Sequence, residues 1–304
     1  MPAKIFIDGE SGTTGLGIRA RLAGRSGVEL LNLPAEERKN PDAKRALMEG
    51  IDLVILCLPD DAARETVSLV EAMGEGAPRI LDASTAHRVA EGWTYGFPEL
   101  TSGQAEAIKT AKKVANPGCY ATGAIALLRP LVDAALIPAD FPISINAVSG
   151  YSGGGKSMIA SFEKGTAPAF ELYGLDLEHK HLPEIVAYSR LTRRPIFVPS
   201  VGKFAQGMLV SVPVFLDDLP GKPNGADLER ALAAHYAGSS FIRVMPPEPS
   251  GRLEAESLNN TNDLELRVVA NESRRQAVLI AKLDNLGKGA SGAALQNLEL
   301  MLRI

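Results

Sequence analysis

Short apolar runs alternate with amphipathic segments through the N-terminal third of the chain. The apolar runs predict strands at Lys4–Asp8, Val28–Leu33, Leu53–Leu58 and Arg79–Asp82. The segments between them predict helices at Thr14–Leu22, Asp42–Met48 and Asp61–Met73. Repeated strand–helix units of this length are typical of a parallel sheet with helices on both faces. We therefore expect an α/β fold here, with a Rossmann-like doubly wound parallel sheet.

The pattern changes after Pro117, where the strands become longer and the helices fewer. A short strand at Lys113–Ala115 leads into a predicted helix from Cys119 to Ala135. Later strands are predicted at Ile143–Ser149, Ile196–Ser200, Met208–Phe215, Leu264–Ala270 and Gln276–Leu283. The predicted helix Ala226–Ala237 separates two of them, and this arrangement favours a second α+β domain with a mixed or antiparallel sheet.

The chain ends in a predicted helix, Ala290–Leu302, for which the first sheet is the best packing partner. We therefore expect a discontinuous first domain of residues 1–117 and 285–304 and a second domain of residues 118–284. The long strands of the second domain are compatible with a homodimer or a homotetramer.

Composition narrows the class of protein. The 304 residues are 45% hydrophobic and 22% charged, as in a soluble globular protein with one large or two medium domains. The net charge of −4 and the lack of a basic stripe argue against nucleic acid as a partner. No apolar run reaches the roughly 18 residues of a membrane helix, and no apolar signal segment precedes the first strand. The chain has 2 cysteines, too few for a disulfide framework, so we expect a reducing, cytoplasmic location.

A glycine-rich turn joins the first predicted strand to the first helix. Residues 9–15 read Gly-Glu-Ser-Gly-Thr-Thr-Gly. Glycine permits a tight turn and a close backbone approach, and the N-terminus of the next helix attracts an anion. A turn in this position indicates a dinucleotide site, although the same glycines could simply reverse the chain. The cofactor contacts are expected from Gly9, Ser11, Gly12, Thr13, Thr14 and Gly15.

The residues at the end of the second predicted strand help to distinguish a site for NAD from a site for NADP. It ends in Leu30–Pro34 without the acidic residue that commonly binds the ribose hydroxyls of NAD. Arg38 and Lys39 follow closely and can pair with a 2′-phosphate, so NADP (as NADPH) is favoured as the cofactor. Glu36 and Glu37 lie near enough to keep NAD open, and a solvated loop is the alternative for the two cations.

The two cysteines have different surroundings. Cys57 lies in an apolar run that is typical of a buried strand, where a thiol is inert. Cys119 stands in Asn116–Tyr120 (Asn-Pro-Gly-Cys-Tyr), where a short strand gives way to a helix. The N–H groups and the positive dipole at a helix start favour a thiolate. Cys119 is therefore a candidate nucleophile, although a cysteine at a helix start is by itself more often structural.

The segment Asn116–Tyr120 resembles the active-site segment of the N-acetyl-gamma-glutamyl-phosphate reductases, a family of enzymes in arginine biosynthesis. Further segments are similar to that family's and occur in the same order: Gly9–Gly15, Val148–Gly153, His179–Ile185 and Asp284–Asn297. The resemblance spans residues 9–297 and is to the family's shorter form. The loop Asp82–Arg88 departs from the sequence of the longer form but retains Arg88.

The resemblance implies an NADPH-dependent reduction of N-acetylglutamyl 5-phosphate to N-acetylglutamate 5-semialdehyde, catalysed by the second domain. Cys119 would attack the acyl carbon, expel inorganic phosphate and form a thioester. His181 is the expected acid/base, because a histidine pKa of about 6.5 suits proton transfer at neutral pH. His179 stays open as the alternative for that role.

The resemblance also implies how the rest of the site is built. The residues expected beside the nicotinamide are Ser149, Gly150, Gly153 and Asn285. The residues expected to bind the substrate or its phosphate are Arg88, Asn116 and Lys156. A metal is not expected, because no further cluster of cysteines and histidines accompanies the pair His179 and His181.

Two other functions stay open from the sequence. Aspartate-semialdehyde dehydrogenase shares the fold and the thioester chemistry, but the residues at 116–120 and 179–185 favour the acetylglutamyl enzymes. A non-catalytic NADP-binding regulator would need the glycine turn and would have no use for Cys119.

Overall fold

The computed structural model describes residues 2–304, which divide into two compact units. The first unit comprises Met1–Pro98, Gly103–Pro117 and Ala290–Ile304, and the second comprises Glu99–Ser102 and Gly118–Gly289. The chain therefore returns to the first unit at Ala290, later than the expected residue 285. The assignment of Glu99–Ser102 to the second unit has no signal in the sequence pattern.

The elements follow one another in a regular order. The strands are β1 (Ala3–Asp8), β2 (Val28–Leu31), β3 (Leu53–Leu56), β4 (Arg79–Asp82), β5 (Thr94–Tyr95), β6 (Lys113–Ala115), β7 (Ser144–Gly150), β8 (Phe170–Leu172), β9 (Ile196–Gly202), β10 (Met208–Phe215), β11 (Ile242–Val244), β12 (Leu264–Asn271) and β13 (Gln276–Leu283). The helices are α1 (Thr13–Leu22), α2 (Pro41–Met48), α3 (Asp60–Glu71), α4 (Gln104–Thr110), α5 (Cys119–Asp133), α6 (Gly155–Glu163), α7 (Leu182–Ser189), α8 (Gly225–His235) and α9 (Gly292–Leu302). A π-helical turn, Gly287–Ser291, precedes α9.

Every element predicted from the sequence is present, and the elements that the pattern missed are short. They are β5, β8, β11, α4, α6 and α7, none of which exceeds 9 residues. A hydrophobic period is difficult to recognise over so few positions. Cys57 follows β3 instead of lying within it, because that strand ends at Leu56.

The first unit is a parallel sheet with helices on both faces. Its strand order is β2-β1-β3-β4-β6-β5, and every pairing is parallel. Successive side chains of a strand point to opposite faces. Ile5 and Ile7 accordingly pack with α1, α4 and α9, whereas Phe6 packs with α2 and α3. This arrangement confirms the doubly wound sheet, and the glycine turn follows β1 at the point where the strand order reverses.

The final helix is held in the first unit by the guanidinium group of Arg79. Its Nε donates to the carbonyl of Ala111 at 2.9 Å, and its Nη2 reaches the carbonyls of Ile108 and Lys109 at 3.1 and 3.0 Å. Its Nη1 donates to the carbonyl of Met301 in α9. The Arg79 side chain therefore binds carbonyls at the C-terminal ends of both α4 and α9. The last backbone carbonyls of a helix have no hydrogen-bond partner within that helix.

The second unit contains a mixed sheet, as expected. Its strand order is β11-β12-β13-β10-β7-β9-β8, with parallel pairs β11–β12 and β7–β9 and antiparallel pairs elsewhere. Helix α5 lies on this sheet, and 11 of its 15 residues are buried. A Cβ atom on Gly123 would come within 2.8 Å of Val210 Cγ2, so the glycine permits the close approach of α5 to β10.

Within residues 2–304, none of the helices combines the length and the apolar character that crossing a lipid bilayer requires.

Candidate active site

Cys119 is the first residue of α5, as the sequence predicted. The N-cap residue Gly118 has no side chain to cap the helix, so the first-turn N–H groups are left for other partners. The thiol is partly exposed, whereas Tyr120 and the residues that follow it are buried. A partly exposed thiol at a helix N-terminus has the surroundings that favour a thiolate.

Glu184 holds the turn in front of Cys119. Only 1% of the surface of this residue is exposed. Its carboxylate accepts a hydrogen bond from the backbone N–H of Gly118 at 3.1 Å. Glu184 lies in the first turn of α7, and His181 is the N-cap residue of the same helix. The carboxylate therefore links the turn that carries the thiol to the turn that carries the imidazole. The sequence analysis did not assign Glu184 a role, although the residue lies in the segment His179–Ile185 that it singled out.

The π-helical turn packs against the other side of Cys119. A Cβ atom on Gly289 would lie 2.8 Å from Cys119 Cβ and 3.1 Å from the carbonyl oxygen of Asp284. The neighbouring Lys288 is buried, and its Nζ lies 2.8 and 2.9 Å from the two carboxylate oxygens of Glu99. Burial lowers the pKa of Lys288, and the Glu99 carboxylate opposes that shift. This pair joins Glu99 to the π-helical turn within the second unit.

The two histidines of the segment His179–Ile185 have different surroundings. His181 is buried, and its backbone N–H donates to Nδ1 of His179 at 3.1 Å. An imidazole nitrogen that accepts a hydrogen bond carries a lone pair, so His179 is neutral in this arrangement. The two rings meet edge to face with centroids 4.7 Å apart. His179 therefore positions His181, which favours His181 for proton transfer.

Tyr120 packs beside both imidazoles. Its ring centroid lies 5.7 Å from that of His179 and 5.9 Å from that of His181. Its hydroxyl donates to the carbonyl of Ser200 at 3.0 Å and accepts from the Tyr173 hydroxyl at 3.0 Å. Burial, followed by the Tyr173 and Cys119 side chains, raises the pKa of Tyr120 well above its usual value. The phenol therefore stays protonated and orients its neighbours without acting as a base.

The residues predicted to lie beside the nicotinamide come together in the second unit. Asn285, which is buried, accepts from the N–H of Gly207 at 2.8 Å and donates to the Ser152 hydroxyl at 2.9 Å. A Cβ atom on Gly153 would lie 3.3 Å from Asn285 Nδ2 and 3.3 Å from Ser149 Oγ. Gly150 is required by packing, because its Cβ would lie 2.5 Å from the carbonyl of Ala205. Lys156 is exposed at the start of α6.

In the glycine turn of the first unit, one of the three glycines has open space beside it. A Cβ atom on Gly9 would lie 2.4 Å from the carbonyl of Cys57, and one on Gly15 would lie 2.7 Å from Glu10 Cα. Gly9 is therefore required by the close approach of the turn to Cys57, and Gly15 is required by the turn itself. Gly12 has no protein atom closer than 3.5 Å to such a Cβ, and it caps α1 without a side chain. The open space and the uncapped helix N-terminus fit a bound pyrophosphate.

The remaining residues of the glycine turn and of the predicted cofactor site surround this cap. Thr13 and Thr14 are partly buried in the first turn of α1, and Ser11 is exposed just before it. Arg38 is also exposed, and its Nη2 lies 2.6 Å from Oε1 of Glu10. Glu37 is one of the two acidic residues that left NAD as an alternative cofactor. Its carboxylate accepts a hydrogen bond from Asn40 Nδ2 at 2.6 Å.

Two of the three residues predicted to bind phosphate, Arg88 and Asn116, lie in the first unit. Arg88 is buried in a loop that is ordered by Asp82, whose carboxylate accepts from Ser84 Oγ at 2.7 Å and lies 2.6 Å from His87 Nδ1. Asn116 donates to the carbonyl of Ala290 at 3.1 Å and accepts from Asn297 Nδ2 at 3.0 Å. The Asn116 carboxamide therefore holds the last segment to the end of β6, a structural task that the sequence analysis did not foresee.

Comparison with known proteins shows which families and which curated proteins this chain resembles. A model described as "Semialdehyde dehydrogenase, NAD binding domain" matches residues 4–111, and one described as "Semialdehyde dehydrogenase, dimerisation domain" matches residues 119–285. A curated protein of Chelativorans sp. (strain BNC1), named N-acetyl-gamma-glutamyl-phosphate reductase, is 57% identical over 99% of both chains. A protein of the same name from Brucella suis is 54% identical, again over 99% of both chains. The chain belongs to the N-acetyl-gamma-glutamyl-phosphate reductase family.

Solved structures show the same fold at much lower identity. Aspartate semialdehyde dehydrogenase II from Vibrio cholerae, complexed with ASA, has a TM-score of 0.74 at 14% identity and covers 100% of this chain and 99% of its own. The Candida albicans aspartate semialdehyde dehydrogenase with NADP has a TM-score of 0.65 at 14% identity and covers 99% of this chain and 98% of its own. These matches confirm the expected α/β fold with a second α+β domain.

Membership of the N-acetyl-gamma-glutamyl-phosphate reductase family confirms the resemblance drawn from the five sequence segments. The residues that received no role from the sequence are Glu184, whose carboxylate holds the Cys119 turn, and Tyr120, which packs beside His181. Each lies inside a segment that carried the resemblance, and that position was the only signal available for them. Among residues 2–304, no group of three or more His, Cys, Asp and Glu side chains is arranged to hold a metal ion.

The two thiols should differ in reactivity. Burial, followed by the charges of Asp82 and Asp8, raises the pKa of Cys57 to about 12, so this thiol stays protonated at pH 8. We expect iodoacetamide at pH 8 to alkylate Cys119 at least about tenfold faster than Cys57, because the thiolate is the nucleophile. Peptide mass spectrometry over time measures both rates, and Cys119→Ser isolates the rate of Cys57. Equal rates would contradict the expected thiolate at Cys119.

Proposed function

We propose that this chain reduces N-acetylglutamyl 5-phosphate to N-acetylglutamate 5-semialdehyde with NADPH, as a step of arginine biosynthesis. The observation that carries this proposal is the thiol at the start of α5. Its turn is tied through the Gly118–Glu184 hydrogen bond to the turn that bears His181. The names of the relatives at 57% and 54% identity support the choice of substrate.

The nucleophile is the Cys119 thiolate, which the N-terminus of α5 stabilises. It attacks the acyl carbon of the substrate, the bond from that carbon to the phosphate oxygen breaks, and inorganic phosphate leaves. The product of this step is a thioester on Cys119. Arg88 and Lys156 supply positive charge for the phosphate, and Asn116 positions the chain segment in front of Cys119.

His181 acts as the acid/base of the second half of the reaction. NADPH, held at the turn that contains Ser149, Gly150 and Gly153, would supply the hydride that reduces the thioester. His181 protonates the oxygen of the resulting thiohemiacetal and then takes that proton back as the aldehyde forms. The bond between carbon and sulfur breaks in that step, and the thiolate returns to its place at the helix start. His179 holds the backbone of His181 through its Nδ1 atom.

The proposed cofactor contacts form two groups of residues, and each group lies within its own unit. In the first unit, Gly12 and the uncapped start of α1 receive the pyrophosphate, with Gly9, Ser11, Thr13, Thr14 and Gly15 around them. Arg38 serves the 2′-phosphate that makes NADPH the preferred form. In the second unit, Ser149, Gly150 and Gly153 let the backbone approach the nicotinamide, and Asn285 fixes that turn through Gly207 and Ser152.

The assembly and location of the protein also belong to this proposal. The family model that matches residues 119–285 is described as a dimerisation domain, which supports a homodimer or a homotetramer. A cytoplasmic location fits a free thiol that must stay reduced for each turnover.

Replacement of the nucleophile should separate binding from chemistry. We expect Cys119→Ser to retain NADPH affinity within about twofold and to lose at least about 10³-fold in kcat, since a lost nucleophile costs orders of magnitude. Steady-state kinetics and fluorescence titration with NADPH measure the two quantities. Activity above about a tenth of wild type would rule out a covalent intermediate.

The same substitution at the two histidines should distinguish the acid/base from its support. Asparagine places Oδ1 where Nδ1 stood, so His179→Asn keeps an acceptor for the His181 N–H and should lower kcat less than about tenfold. His181→Asn has no group that titrates near neutrality and should lower kcat at least about 100-fold and flatten the pH profile. A larger loss in His179→Asn would reverse the assignment.

The substrate is tested by running the reaction in the oxidative direction with NADP⁺ and phosphate. We expect kcat/KM for N-acetylglutamate 5-semialdehyde to exceed that for aspartate semialdehyde by at least about 100-fold. A site that forms hydrogen bonds with polar groups of one substrate discriminates against an analogue that leaves those partners unpaired. The free amino group and shorter chain of aspartate semialdehyde make it the matched comparison. Faster turnover of aspartate semialdehyde would overturn the proposed function.

A further inference from the structure

A single carboxylate in the glycine turn holds two arginines. Glu10 Oε2 pairs with Nη1 of Arg19 in α1, and Glu10 Oε1 lies 2.6 Å from Nη2 of Arg38. The Glu10 side chain is 15% exposed, whereas the arginine side chains are 46% and 45% exposed. The carboxylate is therefore covered by the two guanidinium groups, and they face the solvent.

This cluster lies at the carboxyl end of β2. The strand ends at Leu31, and the side chain of the next residue, Asn32, accepts a hydrogen bond from Arg19 Nη1 at 3.1 Å. In a doubly wound sheet, the end of this strand meets the adenosine ribose of a bound dinucleotide. Arg19, which the sequence analysis did not single out, is therefore placed with Arg38 where a 2′-phosphate would bind.

The charges in the cluster indicate what it accepts. Two guanidinium groups and one carboxylate leave one positive charge, and a phosphate ester brings a charge of about −1.5 to −2 near pH 7. Arginine forms paired hydrogen bonds with phosphate as readily as with carboxylate. A 2′-phosphate would therefore compete with Glu10 for both arginines.

We infer that Glu10 is the internal counter-ion of the 2′-phosphate site, and that the phosphate displaces its carboxylate from Arg19 and Arg38. This inference rests on the proposed use of NADPH and deepens it. Glu10 lowers the affinity for NADP⁺, because its two ion pairs must break before the arginines can turn to the phosphate. NAD⁺ lacks the phosphate and leaves both ion pairs in place.

An acidic residue at this position can also have the opposite effect and favour NAD⁺ over NADP⁺. In NAD-selective sites, a carboxylate at the end of the second strand accepts hydrogen bonds from the ribose hydroxyls. In that role, Glu10 would strengthen the binding of NAD⁺ and would disfavour a phosphate through like charge. The two roles predict different effects on NAD⁺ when the charge of Glu10 is removed.

The test is calorimetric titration of Glu10→Gln with NADP⁺ and with NAD⁺. Exposed ion pairs are individually weak, so we expect NADP⁺ affinity to rise about three- to fivefold, with NAD⁺ affinity unchanged within about twofold. The gain should shrink at about 0.5 M salt, where exposed charges are screened. Glu299→Gln is the matched control, since Glu299 pairs with the exposed Arg25 in the same unit and should leave both affinities unchanged.

A second variant keeps the inference falsifiable if Glu10→Gln is unstable. Arg19→Gln should weaken NADP⁺ binding about tenfold or more and leave NAD⁺ binding within about twofold, because it removes a charged donor to the phosphate. Unchanged NADP⁺ affinity in either variant, or weaker NAD⁺ binding in Glu10→Gln, overturns the inference and leaves the proposed function intact. A wild-type protein that binds NAD⁺ more tightly than NADP⁺ would instead overturn the proposed use of NADPH.

Discussion

Helix α5 lies directly on strand β10 because residue 123 has no side chain, and the candidate active site depends on that contact. The ordinary distance between a helix and a sheet would leave α5 less buried and its first turn less fixed. With Gly123 against Val210, the helix is buried from Tyr120 to Leu128. A helix that cannot shift gives its first residue, Cys119, a fixed position and a fixed direction of the helix dipole.

Two neighbouring groups hold the turn that carries Cys119. Glu184 accepts from the N–H of Gly118, and Gly289 packs against the Cβ of the cysteine. Lys288 and Glu99 form a buried ion pair next to that glycine. Buried pairs of this kind contribute little net stability, because desolvation opposes their attraction, but they select one arrangement over its competitors. A reactive thiol needs such an arrangement, since a displacement of about 1 Å can cost a large factor in rate.

The glycine turn of the first unit shows how one motif serves packing and binding together. A Cβ atom on Gly9 would collide with the backbone of Cys57, and one on Gly15 would collide with the backbone of the turn, so both glycines are required. Gly12 has no such constraint, so the space beside it is available to a ligand. Glu10, between Gly9 and Gly12, pairs with Arg19 and Arg38. Charge and space at this turn are therefore matched to a phosphorylated dinucleotide.

The sequence by itself determined the fold class, the order of the long elements, the glycine turn and the identity of the thiol. These features are local: hydrophobic periodicity, glycine spacing and the segment Asn116–Tyr120 depend on neighbours in the chain. The tertiary structure alone decided that Glu184 holds the Cys119 turn, that Asn116 binds the last segment and that Glu10 pairs with Arg38. Those contacts join residues that are far apart in sequence, with separations of 66, 174 and 28 residues. A partner across such a separation is set by the packing of whole elements, and no local pattern of residues records it.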